Sequence, residues 1–273
     1  MRTLYLNGDR RYTVRRDGPS LWIGEQGRAG RRVPVRLVSR VIVTGRVTME
    51  SDVIPFLARS GVPVSFLSSR GDFVTTALPL EQPLTSLQER VQRLYHVRDG
   101  VARVRERLSA RRQGFMVELL RKFLPHKVAF IGEKGLGENA YLRLVETIIP
   151  GDAGDHPRAV RGILDGLFHE LVLKEVVDTE LDPHVGFVHR HENFAFVKDL
   201  CYALEAERDR QLILFFRRPG WTRFTSRRAG HAGVNAEGMK DIAVRFENLR
   251  EDVSAKTDML LDDFFGVLRE MGT

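Results

Sequence analysis

Cysteine is nearly missing from this chain of 273 residues: Cys201 stands alone, which excludes an internal disulfide and any zinc site built on clustered thiolates. Long apolar runs are missing too. None approaches the roughly 20 residues that a membrane-spanning helix requires, and Asn7-Gly8-Asp9 turns the start polar too early for a secretory leader. The expectation is a soluble, cytoplasmic protein with no membrane partner. Lysine is scarce, with 7 against 36 arginines. No Gly-x-Ser-x-Gly elbow is present, and Cys201 has no neighbour in sequence that would activate it. The glycine-rich stretch Ile131 to Tyr141 lacks the Gly-Lys-Ser/Thr of a P-loop and follows no strand, so nucleotide hydrolysis is unsupported.

What is present is apolar and basic. A hydrophobic fraction of 42% is too high for a disordered chain, and the length suits one or two domains. The net charge is +7. Arginine's planar fork grips phosphate oxygens in pairs, which suits a polyanionic partner; an arginine-favouring codon bias gives the same composition.

The first eighty residues carry strand signals: Leu4-Tyr5-Leu6, Tyr12-Thr13-Val14, Leu21-Trp22-Ile23, Val33 to Val38, Val41-Ile42-Val43 and Val62 to Leu67. Asn7-Gly8 and Asp17-Gly18 read as hairpin turns, and Asp52 to Arg59 as one short helix, with Ser51 as a cap. Composition shifts at Pro79 to Pro83. From Leu87 the apolar period is helical, with segments at Phe115–Phe123, Ala140–Ile149, Val160–Val177, Phe194–Phe215, Glu237–Leu249 and Ala255–Met271. The reading is an α+β chain: a small N-terminal β-rich domain (1–80), a linker (81–86) and a larger all-α domain (87–273).

Candidate chemistry centres on Leu181-Asp182-Pro183-His184-Val185-Gly186-Phe187-Val188-His189, which turns between two helices, with Asp199 ten residues on among Phe196, Val197 and Leu200. A carboxylate in such surroundings needs a partner or a cation if it is buried. His189 and Asp199 together suit Mn²⁺ or Mg²⁺; equally, they suit a helix-terminal imidazole and a capping acid. The remaining histidines show no ligand spacing. Two basic clusters stand out. Arg103, Arg105, Arg107, Arg111 and Arg112 read as a charged helix face with Glu106 among them. Arg217, Arg218, Arg223, Arg227 and Arg228 interleave with Phe215, Phe216, Trp221 and Phe224, a pattern suited either to nucleic acid, with rings stacking on bases, or to a solvated loop pinned by Trp221.

Over nearly its whole length the chain resembles the CRISPR adaptation integrase family, the Cas proteins that insert new spacers into a repeat array. The resemblance rests on the Val41-to-Gly71 style, and above all on Leu181-Asp182-Pro183 … Gly186-Phe187-Val188-His189 followed by Phe196-Val197-Lys198-Asp199-Leu200. It implies a β-rich dimerisation domain and a helical catalytic domain. The implied activity is divalent-metal-dependent DNA integrase and endonuclease chemistry, in which a 3′-hydroxyl attacks a phosphodiester. The implied ligands for Mg²⁺ or Mn²⁺ are Glu138, His189 and Asp199, with Glu133 as the fallback for Glu138. Arg217, Arg218, Arg223, Arg227 and Arg228 would track DNA. Implied partners are double-stranded DNA (prespacer and repeat), a second copy of the chain and a ferredoxin-like companion. Tyr202 stands where the family usually has a further acid, and Glu205 lies too far along to replace it. Two alternatives remain: a metal-dependent nuclease of branched DNA, and a catalytically weakened DNA-binding scaffold.

Overall fold

A computed structural model describes residues 2–68, 71–78, 86–128, 136–228 and 231–272. Glu133 and most of the 81–86 linker lie outside them. The chain divides into two units, Met1–Pro83 and Leu84–Thr273.

The first unit holds two four-stranded sheets and one helix. In chain order these are β1 (Arg2–Asn7), β2 (Tyr12–Asp17), β3 (Ser20–Glu25), β4 (Arg28–Pro34), β5 (Val38–Thr44), β6 (Thr48–Met49), α1 (Val53–Arg59), β7 (Val64–Leu67) and β8 (Phe73–Ala77). One sheet runs β1-β5-β7-β8 and the other β4-β3-β2-β6. Every residue of β5 is buried, as befits a central strand with parallel neighbours on both edges and both faces covered. Leu4, Leu6, Val14, Leu21, Ile23, Val41, Val43, Leu57 and Val64 form a shared core between the sheets and α1.

Asn7-Gly8 makes no hairpin. β1 pairs in parallel with β5, and β2 belongs to the other sheet. Gly8 serves close approach instead, because a Cβ there would sit 2.7 Å from the Arg46 carbonyl oxygen. Asp17-Gly18 does close the β2–β3 hairpin, with Asp17 opposite Ser20. The cap position of α1 is Asp52 rather than Ser51.

The second unit comprises α2 (Ser86–Leu94), α3 (Gly100–Phe123), α4 (Pro125–Val128), α5 (Glu138–Glu146), α6 (His156–Asp178), α7 (Ala195–Ala203), α8 (Glu205–Phe216), β9 (Thr225–Arg228), β10 (His231–Val234) and α9 (Ala236–Glu270). Helix α6 is buried nearly all round, with Val160, Leu164, Phe168, Leu171 and Val172 inside, and packs against α7, α8 and α9. Three expectations change in detail. The unit is not all-helical, because β9 and β10 form an antiparallel hairpin. The segment 194–215 breaks at Leu204 into α7 and α8. The two C-terminal segments are one helix of 35 residues, whose Asn235 cap accepts the Gly238 amide at 2.9 Å. Among the described residues no helix is long and apolar enough to cross a membrane.

Candidate active site

The Leu181–His189 segment is a loop held on every side. Asp182 accepts the His184 amide (2.8 Å), the side-chain-to-backbone turn typical of Asp before Pro. Gly186 lies against the start of α7, where an added Cβ would stand 2.6 Å from the Ala195 carbonyl carbon. The Tyr95 hydroxyl donates to the Gly186 carbonyl, and Arg105 Nε to the Phe187 carbonyl at 2.7 Å. The Phe187 ring stacks on Tyr95 and meets Phe196 and Phe264.

Asp199 organises the loop. Its side chain is 0% exposed. One oxygen accepts the Phe187 and Val188 amides, and the other accepts the His189 amide at 2.9 Å and meets His189 Nδ1 at 2.8 Å. Three successive backbone donors and an imidazole thus satisfy a fully buried carboxylate. The imidazole is thereby fixed in orientation through Nδ1, so that Nε2 is the ring nitrogen Asp199 does not engage. Beneath the loop, His169 on α6 meets Phe194 edge-on. Burial, aided by Lys198, pulls its pKa down to about 4.

Tyr202 joins this loop to a second group. Its ring lies 5.9 Å from the His189 ring, and the Arg112 guanidinium sits over its face at 4.0 Å. Arg112 pairs with Glu205 through Nε (3.1 Å) and Nη2, and with Glu138 at 3.3 Å. Glu205 also accepts from Arg208 at 3.1 Å, which continues the chain of charges to Asp165 and Asp209. Tyr141 donates to Asp209 at 3.0 Å. Burial pushes the Asp209 carboxyl upward against the pull of Arg208 and Arg161, and raises the Tyr141 hydroxyl.

The structure therefore joins His189 to Asp199 but sets Glu138 apart, against Arg112. These three side chains do not fit a divalent ion as they stand: both Asp199 oxygens are engaged and Glu138 faces a guanidinium. Among the described residues no group of three or more His, Cys, Asp or Glu forms a metal-holding set. Sequence reasoning missed Arg112, Arg105 and Tyr95. Arg112 is not part of a charged helix face, for it falls on the buried stripe of α3 with Val104, Leu108, Phe115 and Leu119. That spacing was the available signal. Arg103, Arg107 and Arg111 do face outward and pair with Glu106, Glu270 and Asp263.

The second basic cluster divides likewise. Phe215, Phe216, Trp221 and Phe224 are all buried, so they pin the segment to the core and offer no face to a base. Arg217, Arg223 and Arg227 are exposed. Arg218 binds Asp241 and lies over Phe224, and Arg228 ends β9. Beside the His189 loop an open groove is lined by Gln92, Tyr95, His96, His184, Arg190 and His191.

Residues 4–124 match the family model described as CRISPR associated protein Cas1. No curated protein matches the chain. Among solved structures, a Cas1 protein from Thermotoga maritima is 19% identical with a TM-score of 0.80, covering 99% of this chain and 97% of that one. A casposase bound to its integration product is 17% identical with a TM-score of 0.70, covering 91% and 82% respectively. The Cas6-RT-Cas1–Cas2 complex includes a chain 11% identical with a TM-score of 0.74, of which 35% is covered against 97% of this one. The first 124 residues thus match a Cas1 family model from residue 4 onward, and the chain as a whole carries the Cas1 fold.

Proposed function

We propose that this protein binds DNA and exchanges its phosphodiester bonds, as an integrase or nuclease of CRISPR spacer acquisition with the His189 loop as its reactive centre. The observation that carries this reading is the Asp199 clamp, which fixes a partly exposed His189 on its loop within a Cas1 fold. A 3′-hydroxyl brought to Nε2 would pass its proton there as its oxygen bonds to phosphorus. The displaced 3′-oxygen takes a proton from water, so one phosphodiester replaces another without ATP. Asp199 keeps the imidazole in the tautomer that accepts at Nε2. Exposed Arg105 and Arg190 flank the loop and suit the phosphates of the incoming strand, while Arg217, Arg223 and Arg227 suit a more distant stretch of backbone. Two copies joined through the β-rich unit, with a ferredoxin-like companion, form the proposed assembly.

The test is strand transfer. A labelled duplex with free 3′-hydroxyls is mixed with a supercoiled plasmid bearing a repeat, with and without the companion. Label joins the plasmid with the parent protein and not with His189→Ala. Nicking without joined label makes the protein a nuclease of branched or strained DNA. A scaffold reading is favoured by the enclosed Arg112–Tyr202 pair; tight binding with neither product establishes it. Failure to bind DNA at low salt refutes the proposal.

A further inference from the structure

We infer that Arg112 is a built-in cation occupying the place a divalent ion would take beside Glu138, so that Glu138, His189 and Asp199 do not bind metal. The inference takes the location of the site from the functional reading above and concerns its electrostatics. A buried guanidinium is costly unless it is paired. Arg112 is 5% exposed on a helix stripe otherwise made of Val104, Leu108, Phe115 and Leu119, and the surroundings are built to hold it. Glu205 takes two of its N–H groups, Glu138 a third contact, and Tyr202 supplies an aromatic face.

The carboxylates divide in the same sense. Glu138 and Glu205 both converge on Arg112. The two Asp199 oxygens are filled by three amides and an imidazole. Tyr202, in contact with both His189 and Arg112, contributes a neutral ring between the two groups. An arriving divalent ion would meet a fixed positive charge at Glu138 and no open carboxylate at Asp199. A guanidinium stays charged across the working pH range and does not depend on ion supply, whereas metal binding requires deprotonated ligands free to converge.

The experiment is a Mn²⁺ titration of the full chain, read by the electron paramagnetic signal of free Mn²⁺ and by thermal unfolding, alongside DNA binding in Mn²⁺ or EDTA. The parent protein is expected to bind no Mn²⁺ at millimolar concentration and to hold DNA equally in either buffer. Arg112→Gln, which removes the charge and frees Glu138 and Glu205, is expected to bind Mn²⁺ at least tenfold more tightly than the parent. Arg112→Lys, which keeps a cation, is expected to remain metal-free. One Mn²⁺ bound by the parent and lost in Glu138→Gln overturns the inference. So does absence of binding in a folded Arg112→Gln, which would make Arg112 a structural ion pair only. Should Arg112→Gln not fold, the parent and Arg112→Lys titrations decide. Loss of all DNA binding would instead strike the functional reading and leave the Mn²⁺ result standing.

Discussion

Replacing Asp199 tests the site most directly, because its carboxylate has a structural task separate from chemistry. Asp199→Ala strips acceptors from three consecutive amides and from His189 Nδ1. The Phe187 amide is deeply buried and cannot recover a partner from water, so its loss costs about 2 kcal/mol. The Val188 and His189 residues are half-buried, and their amides add about 1 kcal/mol each. The sum of about 4 kcal/mol, at roughly 2–4 °C per kcal/mol for a unit of this size, lowers Tm by about 8–16 °C. Asp199→Asn keeps one acceptor oxygen and turns a donor toward the remaining amide, so it falls between the two. The assay is urea denaturation followed by tryptophan fluorescence, with a thermal scan beside it. An Asp199→Ala protein melting within 2 °C of the parent would refute the clamp and return Asp199 to the role of an unburdened ligand.

Other consequences follow from the same geometry. Gly186→Ala places a methyl into the Ala195 backbone; a destabilisation of about 1–3 kcal/mol with impaired strand transfer is expected, and unchanged urea midpoints would contradict it. His169 titrates near 6.5 in the unfolded chain and at about 4 in the fold. Its depressed folded pKa means that stability is complete above pH 6.5. Between pH 6.5 and 4 the unfolded state takes up a proton that the native state refuses, and about 3 kcal/mol is lost across that window. His169→Leu should flatten this part of the stability curve; parallel decline of both proteins would show that other groups cause it.

Much of this arrangement was legible in the residues. Alternation and turn chemistry located most of the first unit's strands, although Val33 to Val38 spans the end of β4 and a 3-10 turn at Val35–Leu37. The join of Leu181-Asp182-Pro183 to His189 and Asp199 located the loop that Asp199 clamps. Errors arose where distant backbone decides. Asn7-Gly8 has hairpin chemistry, yet β5 captures β1 and the glycine answers a close approach to Arg46. The spacing of Phe215, Phe216, Trp221 and Phe224 cannot say whether rings turn inward, and the core claims them. Asp199 was readable as a buried acid needing a partner, but not that backbone amides would be the partners, since those come from a loop whose shape no local pattern sets. Arg112 was hidden by its neighbours: Arg111 faces solvent and pairs with Asp263, and only the interval from Val104 and Leu108 to Phe115 separates the inward arginine from the outward one.

The parallel union of β1 and β5 imposes a schedule on the nascent chain. Strands β2, β3 and β4 pair with sequence neighbours and can zip together within microseconds of leaving the ribosome. β1 cannot, because its register runs from Thr3 against Arg40 to Asn7 against Thr44, and a parallel partner must first be made and brought alongside. Throughout that interval Leu4-Tyr5-Leu6 presents apolar side chains and unpaired amides to its surroundings. During synthesis, then, the strand made before its sheet is the one most open to joining a strand of another molecule.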